Sequence, residues 1–431
     1  MKLCDVSVPA AGRFYQRGHE SAKGEGLNTI EIMAPNRGMK RRPFARIAYD
    51  VKIDFRHFIW YNHTVNSTED EKRSDVMIEA EMLPQVGTGQ IPGLNKRVSR
   101  LFFGTANPPI STDDAAAFAL LDSVLEMGIN AFDCARSYGL AEHTLGKWME
   151  ARKNRDQAVV LSKCGDVRNG QVRINRQVID DQLRQSLDAL RTDHIDIYLL
   201  HRHDPDTPEE AMIDALNAHW ESGRIGVFGV SNWTHQQIEK ANRYASAHGL
   251  RGFSVSSPNY GLARQLQDPY GGECVTISGP ENTAARDWYG EHQMPVIAYS
   301  SLGRGFFSGR FKAYDYDAAR QTLDRFAQKG YLYDENMLRL QRAEALAQRD
   351  GVTVPEIAMR YAFSSAMNLF AVVSTASAER MGMNIRASVN PLPPEDVAFL
   401  EANQNKKKRG RRTCFQAMHR ALFPLAKRSG T

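Results

Sequence analysis

Short apolar runs alternate with amphipathic stretches from about residue 98 to the region near residue 390. Eight runs are largely apolar along their length, which is typical of parallel strands buried on both faces. The predicted strands are 100–104, 131–134, 158–163, 195–201, 226–231, 253–257, 295–299 and 370–374. Apolar residues spaced three and four apart predict helices over 113–127, 141–153, 175–191, 208–222, 234–248, 281–292, 336–349 and 377–387.

The alternation of strands and helices predicts an α/β fold, in which a parallel sheet is covered by helices. Eight such units over about 300 residues suit a closed (β/α)8 TIM barrel. An open, doubly wound sheet is the alternative, but the turn at 104–106 lacks the G-x-G-x-x-G pattern of that fold. Two long connections, 261–280 and 303–334, leave the carboxyl ends of strands six and seven, where barrel active sites are built.

The segments on either side of this pattern differ from it in composition. Residues 1–96 are rich in charge and turn formers, which predicts an extension of low order with a strand or two at 44–61. The barrel is predicted over 97–404. Residues 405–431 form a basic tail with nine Lys and Arg and no acid, so the net charge of +5 leaves −4 for the remainder.

Charge, hydropathy and cysteine usage exclude several classes of protein. An acidic body argues against a chain-wide nucleic-acid face, and no apolar run reaches the ~18 residues of a membrane-spanning helix. Five widely spaced cysteines without a C-x-x-C pattern argue against a disulfide framework or a metal site. We therefore expect a cytoplasmic protein without nucleic-acid or membrane partners. The run at 406–412 is expected to be solvated, with a polyanion-binding or nuclear-import element as the alternative.

Polar side chains stand where three consecutive predicted strands end. Asp133 ends strand two and Tyr138 follows it, Lys163 ends strand three, and His201 ends strand four. Each has an ordinary structural interpretation alone, but the carboxyl ends of barrel strands meet at one mouth. Together they suit carbonyl reduction, because an ammonium should lower the pKa of a tyrosine, a carboxylate should keep the lysine charged, and an imidazole should orient a carbonyl.

Motifs in matching order resemble those of the aldo-keto reductase superfamily over about 97–404. They are NAFDCARSYGLAE at 130–142, LSK at 161–163, IDIYLLH at 195–201, GRIGVFGVSNW at 223–233, NY at 259–260 and AYSSLGRGFFSGR at 298–310. The resemblance implies a catalytic tetrad of Asp133, Tyr138, Lys163 and His201, with Tyr138 as general acid. It also implies a nicotinamide cofactor, usually NADPH with NAD as the alternative, and a small-molecule carbonyl substrate.

The resemblance further implies a cofactor site along the strand ends. Ser231 and Asn232 would bind the nicotinamide carboxamide, and Tyr299 would stack on its ring. The expected pyrophosphate loop comprises Ser300, Leu302, Gly303, Arg304 and Gly305. The expected adenosine-phosphate segment comprises Ser374, Ser377, Arg380 and Asn384. The remaining expected cofactor residues are Gly104, Thr105, Asp133 and Ser257.

Three positions depart from the family pattern. Ser257 stands where glutamine is frequent, Ser374 where glycine is usual, and Ala376 where a basic residue is common. The NADP phosphate would therefore rely on Arg380, with Arg304 or Arg310 helping nearby. A regulatory barrel that senses the dinucleotide is the second interpretation, although an intact tetrad argues against it. A damaged gene product is the third, suggested by the atypical first 96 residues. The candidates to line a substrate pocket are Tyr270, Trp288 and Phe306.

Overall fold

The computed structural model describes residues 84–107, 110, 114–166, 173–271 and 274–402, together with the backbone of three short strands nearer the N-terminus. Those strands, Asp5–Val6, Phe14–Gly18 and Asn28–Glu31, pair antiparallel in that order. The strands expected at 44–61 and the basic tail lie outside the described residues, as does most of the extension predicted to have low order.

Eight parallel strands close into a barrel. They are β1 (Leu101–Gly104), β2 (Ala131–Asp133), β3 (Val159–Cys164), β4 (Ile195–Leu200), β5 (Ile225–Ser231), β6 (Ser256–Ser257), β7 (Val296–Ala298) and β8 (Leu369–Val373). The ring closes where Ala371 of β8 pairs with Leu101 of β1. The predicted (β/α)8 TIM barrel is therefore confirmed, and the open doubly wound alternative is excluded.

Helices fill the connections between these strands. They are α1 (Asp114–Glu126), α2 (Ala141–Arg152), α3 (Arg176–Leu190), α4 (Glu209–Glu221), α5 (His235–Ala247), α6 (Thr283–His292), α7 (Tyr316–Thr322), α8 (Arg325–Tyr331), α9 (Asp334–Asp350), α10 (Val354–Phe363), α11 (Ala378–Val389) and α12 (Pro394–Glu401). Among the helices in the described part of the chain, none has the length and apolar character needed to span a membrane.

The barrel interior holds a small apolar cluster that is separate from the larger strand–helix core. Its strand members include Phe102, Ala131, Leu161, Leu199, Val227, Val255, Ile297 and Phe370. Strand side chains alternate between the two faces of the sheet, so positions two or four residues further on point the same way. Those positions are Gly104, Asp133, Lys163, His201, Ser231, Ser257, Tyr299 and Ser374. The alternation therefore predicts that one residue from each strand end faces the mouth of the barrel.

A hairpin covers the amino end of the barrel. Thr88–Gly89 pairs antiparallel with Val98–Ser99, and Val98 joins the interior cluster. Lys96 Nζ lies 3.1 Å from Asp196 Oδ1 at the start of β4 and donates to the Ala158 carbonyl at 3.0 Å. Because these contacts hold the hairpin against the amino end, the opposite, carboxyl end carries the open mouth.

Candidate active site

The four predicted catalytic side chains lie together at the carboxyl end of the barrel. Lys163 Nζ lies 2.5 Å from Asp133 Oδ1, 2.8 Å from the Cys134 carbonyl oxygen and 3.4 Å from Tyr138 Oη. These three acceptors match the three N–H donors of an ammonium group. Lys163 is 3% exposed and Asp133 is 6% exposed, whereas Tyr138 is half-buried. The ion pair is therefore held away from water beneath a tyrosine that reaches the mouth.

His201 stands beside this group, on the next strand. Its ring lies edge-on to the ring of Tyr138, with 5.8 Å between the centroids. Its Nδ1 faces the Ser137 hydroxyl at 3.5 Å and Asp166 Oδ2 at 3.9 Å. The side chain of Asn232 donates to the His201 backbone carbonyl at 3.2 Å, which fixes the end of β4. The structure thus brings a phenol, an ammonium, a carboxylate and an imidazole to one place, as the sequence predicts.

The pKa of Tyr138 differs in direction from the sequence-based expectation. Burial raises the pKa of this phenol above its ordinary value, and the Lys163 ammonium offsets only part of that rise. Burial would lower the pKa of Lys163, but the charges and hydrogen bonds of Asp133 and Tyr138 together outweigh it and the pKa is raised. Burial also raises the pKa of Asp133, against the opposing charge of Lys163. Lys163 therefore acts in the expected direction, but burial outweighs it and leaves the pKa of Tyr138 above its ordinary value.

A buried glutamate supports the segment that carries Tyr138, and the sequence interpretation missed it. Glu142, in the first turn of α2, is fully buried and accepts hydrogen bonds from Ser162 Oγ at 2.6 Å and Arg136 Nη1 at 2.7 Å. These bonds tie α2 and the 134–140 turn to β3 beside Lys163. The available sequence signal was an acidic residue four positions after Tyr138, inside the quoted motif.

The residues predicted for the nicotinamide carboxamide form a hydrogen-bonded chain across β5, β6 and β7. Ser231 Oγ donates to the Ser257 carbonyl at 2.9 Å, and Asn232 Nδ2 donates to Ser231 Oγ at 3.0 Å. Tyr299 Oη donates to Asn232 Oδ1 at 2.6 Å, which fixes the ring at the mouth. The Ser257 hydroxyl donates to the Ile297 carbonyl at 2.8 Å, so it joins neighbouring strands. This side of the mouth is thus rigidly cross-linked.

The predicted pyrophosphate loop has the backbone of an anion-binding turn. Ser300, Gly303, Arg304 and Gly305 have φ angles of 54°, 59°, 51° and 94°. Within the described residues, the N–H groups of Leu302, Arg304 and Gly305 have no hydrogen-bond acceptor. A Cβ at Gly305 would lie 2.8 Å from Arg310 Nη2 and would displace this guanidinium, and the φ of 94° favours glycine at this position. Successive free N–H groups in such a turn suit a phosphate.

Arg304 is anchored on both sides of its guanidinium. It donates to Tyr270 Oη at 2.5 Å and to Asp324 Oδ2 at 2.6 Å. Asp324 is also the N-cap of α8, where it accepts from the Ala327 N–H at 2.7 Å. These bonds hold the Tyr270 hydroxyl beside the loop after β7, and its role in lining a substrate pocket stays a prediction. Trp288 instead stacks on His292 within α6, and Phe306 is buried in the outer core, so neither lies at the mouth.

The predicted adenosine-phosphate residues leave β8 beside β7, since these strands pair in parallel. Ser377 caps α11 by accepting from the Arg380 N–H at 3.3 Å, and the exposed Arg380 side chain donates to Thr375 Oγ1 at 3.0 Å. Asn384 is buried on α11. Asn107 Nδ2 donates to Ser374 Oγ at 3.2 Å, which links this segment to the loop after β1.

The residues expected after β1 have different surroundings. Gly104 lies against β8, where a Cβ would approach Val372 Cγ1 to 3.0 Å. Thr105 is completely buried, and its hydroxyl donates to the Asp133 carbonyl at 2.9 Å. The Thr105 side chain therefore stabilises the end of β2, and its contact with a cofactor stays a prediction. Within the described residues, no three His, Cys, Asp or Glu side chains cluster as metal ligands would.

A closed parallel barrel with proton-donating groups around a buried ion pair at its carboxyl mouth is the architecture of a barrel oxidoreductase. The chain belongs to the aldo/keto reductase family, whose family model matches residues 100–404. Members of this family are oxidoreductases that act on carbonyl groups and generally use nicotinamide cofactors. The resemblance stated from the motifs is therefore confirmed at the level of the family.

Curated relatives and a solved structure agree with this assignment. An uncharacterised oxidoreductase, YrpG, of Bacillus subtilis is 28% identical over 70% of this chain and 91% of its own length. A probable aryl-alcohol dehydrogenase, AAD4, of Saccharomyces cerevisiae is 27% identical over 68% of this chain and 88% of its own. A crystal structure of a thermostable aldo-keto reductase with the inhibitor epalrestat has 20% identity and a TM-score of 0.55. The structural match covers 73% of this chain and 98% of the chain of that reductase, which supports the barrel fold.

Proposed function

We propose that the protein reduces an aromatic aldehyde or ketone to the alcohol, with NADPH as hydride source and Tyr138 as proton donor. The observation that carries the proposal is the buried Lys163–Asp133 pair, with Lys163 Nζ 3.4 Å from Tyr138 Oη. An aromatic substrate is supported by relatives named as aryl-alcohol dehydrogenases and as a norsolorinic acid reductase. The free thiols of Cys134, Cys164 and Cys274 support a reducing, cytoplasmic location.

The proposed proton transfer follows from the geometry of the tetrad. Tyr138 Oη donates its proton to the carbonyl oxygen as negative charge develops there. Lys163 then stabilises the phenolate, and Asp133 keeps the lysine protonated while both are buried. His201, edge-on to Tyr138, holds the carbonyl oxygen toward the phenol.

The residues after β7 and β8 fit the phosphates of a dinucleotide. The free N–H groups of Leu302, Arg304 and Gly305 would hold the pyrophosphate, with the Arg310 guanidinium beside them. Arg380, exposed on α11, would hold a 2′-phosphate, because a guanidinium matches phosphate geometry. When bound, the reduced nicotinamide supplies the hydride for the carbonyl carbon.

Tyr138→Phe tests the proposal because it removes one oxygen atom. We expect NADPH-dependent reduction of benzaldehyde and its substituted analogues to fall by about 10²–10⁴-fold. Quenching of protein fluorescence by NADPH should remain unchanged. Tyr244→Phe is the matched control, since its hydroxyl bonds only Asp214 on the outer helices, at 3.1 Å.

Two results would contradict the proposal in different ways. Reduction by Tyr138→Phe at the wild-type rate would show that another group donates the proton. NADPH binding by the wild-type protein without turnover of any carbonyl compound in a broad panel would favour the dinucleotide-sensing interpretation.

A further inference from the structure

A cavity lies away from the tetrad, on the outer side of the barrel. It has a volume of about 380 Å³ and lies between the loop after β6 and helices α9, α10 and α12. Its lining is Leu262, Gly279, Pro280, Arg339, Tyr361, Ala398, Glu401 and Ala402. Cavities that bind small organic molecules begin at about 300 Å³, so the volume admits such a ligand.

Arg339, on α9, supplies the cavity with an unpaired charge. The residue is 6% exposed. No described residue forms a hydrogen bond or ion pair with its guanidinium. Burial and the nearby Arg264 charge lower its pKa, but an arginine stays protonated in proteins. A buried cation without a partner is costly, and buried charges in native proteins are normally paired.

The acidic groups around Arg339 form their hydrogen bonds and ion pairs with other residues, while the charges of Glu335 and Glu401 act on Arg339 only at longer range and raise its pKa. Glu335 and Glu281 both pair with Arg264, the latter at 2.9 Å. Glu401 accepts a hydrogen bond from the Tyr361 hydroxyl. Another arginine near the cavity shows the contrast, because Arg286 donates to the carbonyls of Ile277 and Gly279 at 2.8 and 2.6 Å.

We propose that this cavity binds a small organic anion, whose carboxylate or phosphate group pairs with Arg339 and whose apolar part lies against Leu262 and Pro280. A guanidinium binds either oxyanion through two parallel hydrogen bonds. The apolar lining selects an anion with a hydrophobic body over inorganic phosphate. This site is separate from the tetrad and does not depend on the proposed reaction.

Calorimetric titration of the full-length protein tests the site, with benzoate and phenyl phosphate as probes and benzyl alcohol as the uncharged analogue. Arg339→Met removes the charge at similar length, and Ala398→Phe fills the cavity while leaving the arginine. Arg243→Met is the matched control, because it removes an exposed guanidinium from α5. Since an aromatic anion also resembles a ligand of the catalytic mouth, the quantity of interest is the part of binding that depends on Arg339.

We expect at least one anionic probe to bind the wild-type protein and Arg243→Met equally. Arg339→Met and Ala398→Phe should each weaken that binding at least tenfold, and benzyl alcohol should bind all four proteins equally weakly. The relative affinities of benzoate and phenyl phosphate then assign the head group. The proposal is overturned if neither probe binds the wild-type protein, or if both bind Arg339→Met as tightly as wild type.

Discussion

Lys163→Met would remove the ammonium at the centre of the candidate site and keep the length of the side chain. Asp133 would lose its 2.5 Å partner while remaining 6% exposed, and two further acceptors would lose a donor. Removing one partner of a buried ion pair costs about 3–5 kcal/mol of unfolding free energy. The control, Lys147→Met, breaks a 2.8 Å pair with Asp114 whose side chains are 42% and 54% exposed, and should cost less than about 1 kcal/mol.

Urea unfolding followed by tryptophan fluorescence measures both free energies at pH 7 and again at pH 5. Burial raises the pKa of Asp133, and removal of Lys163 removes the charge that opposes the rise. The folded state then binds a proton that the unfolded state releases, so stability is greater at low pH and is lost as pH rises through the folded pKa. The loss in Lys163→Met should therefore be smaller at pH 5 than at pH 7.

Two outcomes would refute this reasoning. Equal losses in Lys163→Met and Lys147→Met would show that the buried carboxylate finds another partner or water. A loss that grows toward acid pH would show that Asp133 is not the group left uncompensated. The double variant Lys163→Met with Asp133→Leu should regain part of the stability, because it removes the unpaired charge as well as its partner.

Three further predictions concern the phenol, the phosphate site and the barrel wall. Because burial raises the pKa of Tyr138, carbonyl reduction should stay level from about pH 6 to 9 and fall only above about pH 10, so a break near pH 7 would contradict the assignment. Arg380→Ala should weaken binding of NADPH about tenfold more than NADH, and equal losses would move the 2′-phosphate contact elsewhere. Gly229→Ala should cost about 1–3 kcal/mol in thermal unfolding, because its Cβ would lie 1.9 Å from the Val255 carbonyl oxygen. Gly290→Ala, which meets no neighbour within 4 Å in α6, should instead gain up to about 1 kcal/mol.

The strands and most helices were predictable because their burial is periodic. Predicted strand ends mostly agree with observed ones within a residue or two, although the sixth strand is reduced to Ser256–Ser257. Helices α7 and α8 have seven residues each, too few for a periodic signal. Helix α10 is buried around most of its surface, and even its charged residues Glu356 and Arg360 are buried.

The candidate site was predictable where it follows strand ends and unpredictable where it depends on packing. Side chains along a strand alternate with a period of two residues. Asp133, Lys163 and His201 each follow a residue of the interior cluster by two positions, so they point inward at the mouth. Sequence alone gives Lys163 as a neighbour of Tyr138, but the direction of the tyrosine pKa depends on how completely the surrounding loops exclude water. The hydrogen bond from the Thr105 hydroxyl to the Asp133 carbonyl also depends on packing. Thr105 directly follows β1, whose last residue, Gly104, pairs with Asp133 of β2.

Two polar systems meet at the mouth, and β4 stands between them. Lys163, Asp133 and Tyr138 form one on β2 and β3, while the hydrogen-bonded chain from Ser231 to Tyr299 forms the other on β5 to β7. His201 touches both, because its ring lies 5.8 Å from that of Tyr138 and its backbone carbonyl accepts from Asn232 at 3.2 Å. On the proposed mechanism the proton comes from the first system, and the residues of the second would hold the nicotinamide that supplies the hydride when bound. The carbonyl group must therefore lie over β4, where the imidazole can hold its oxygen toward the phenol.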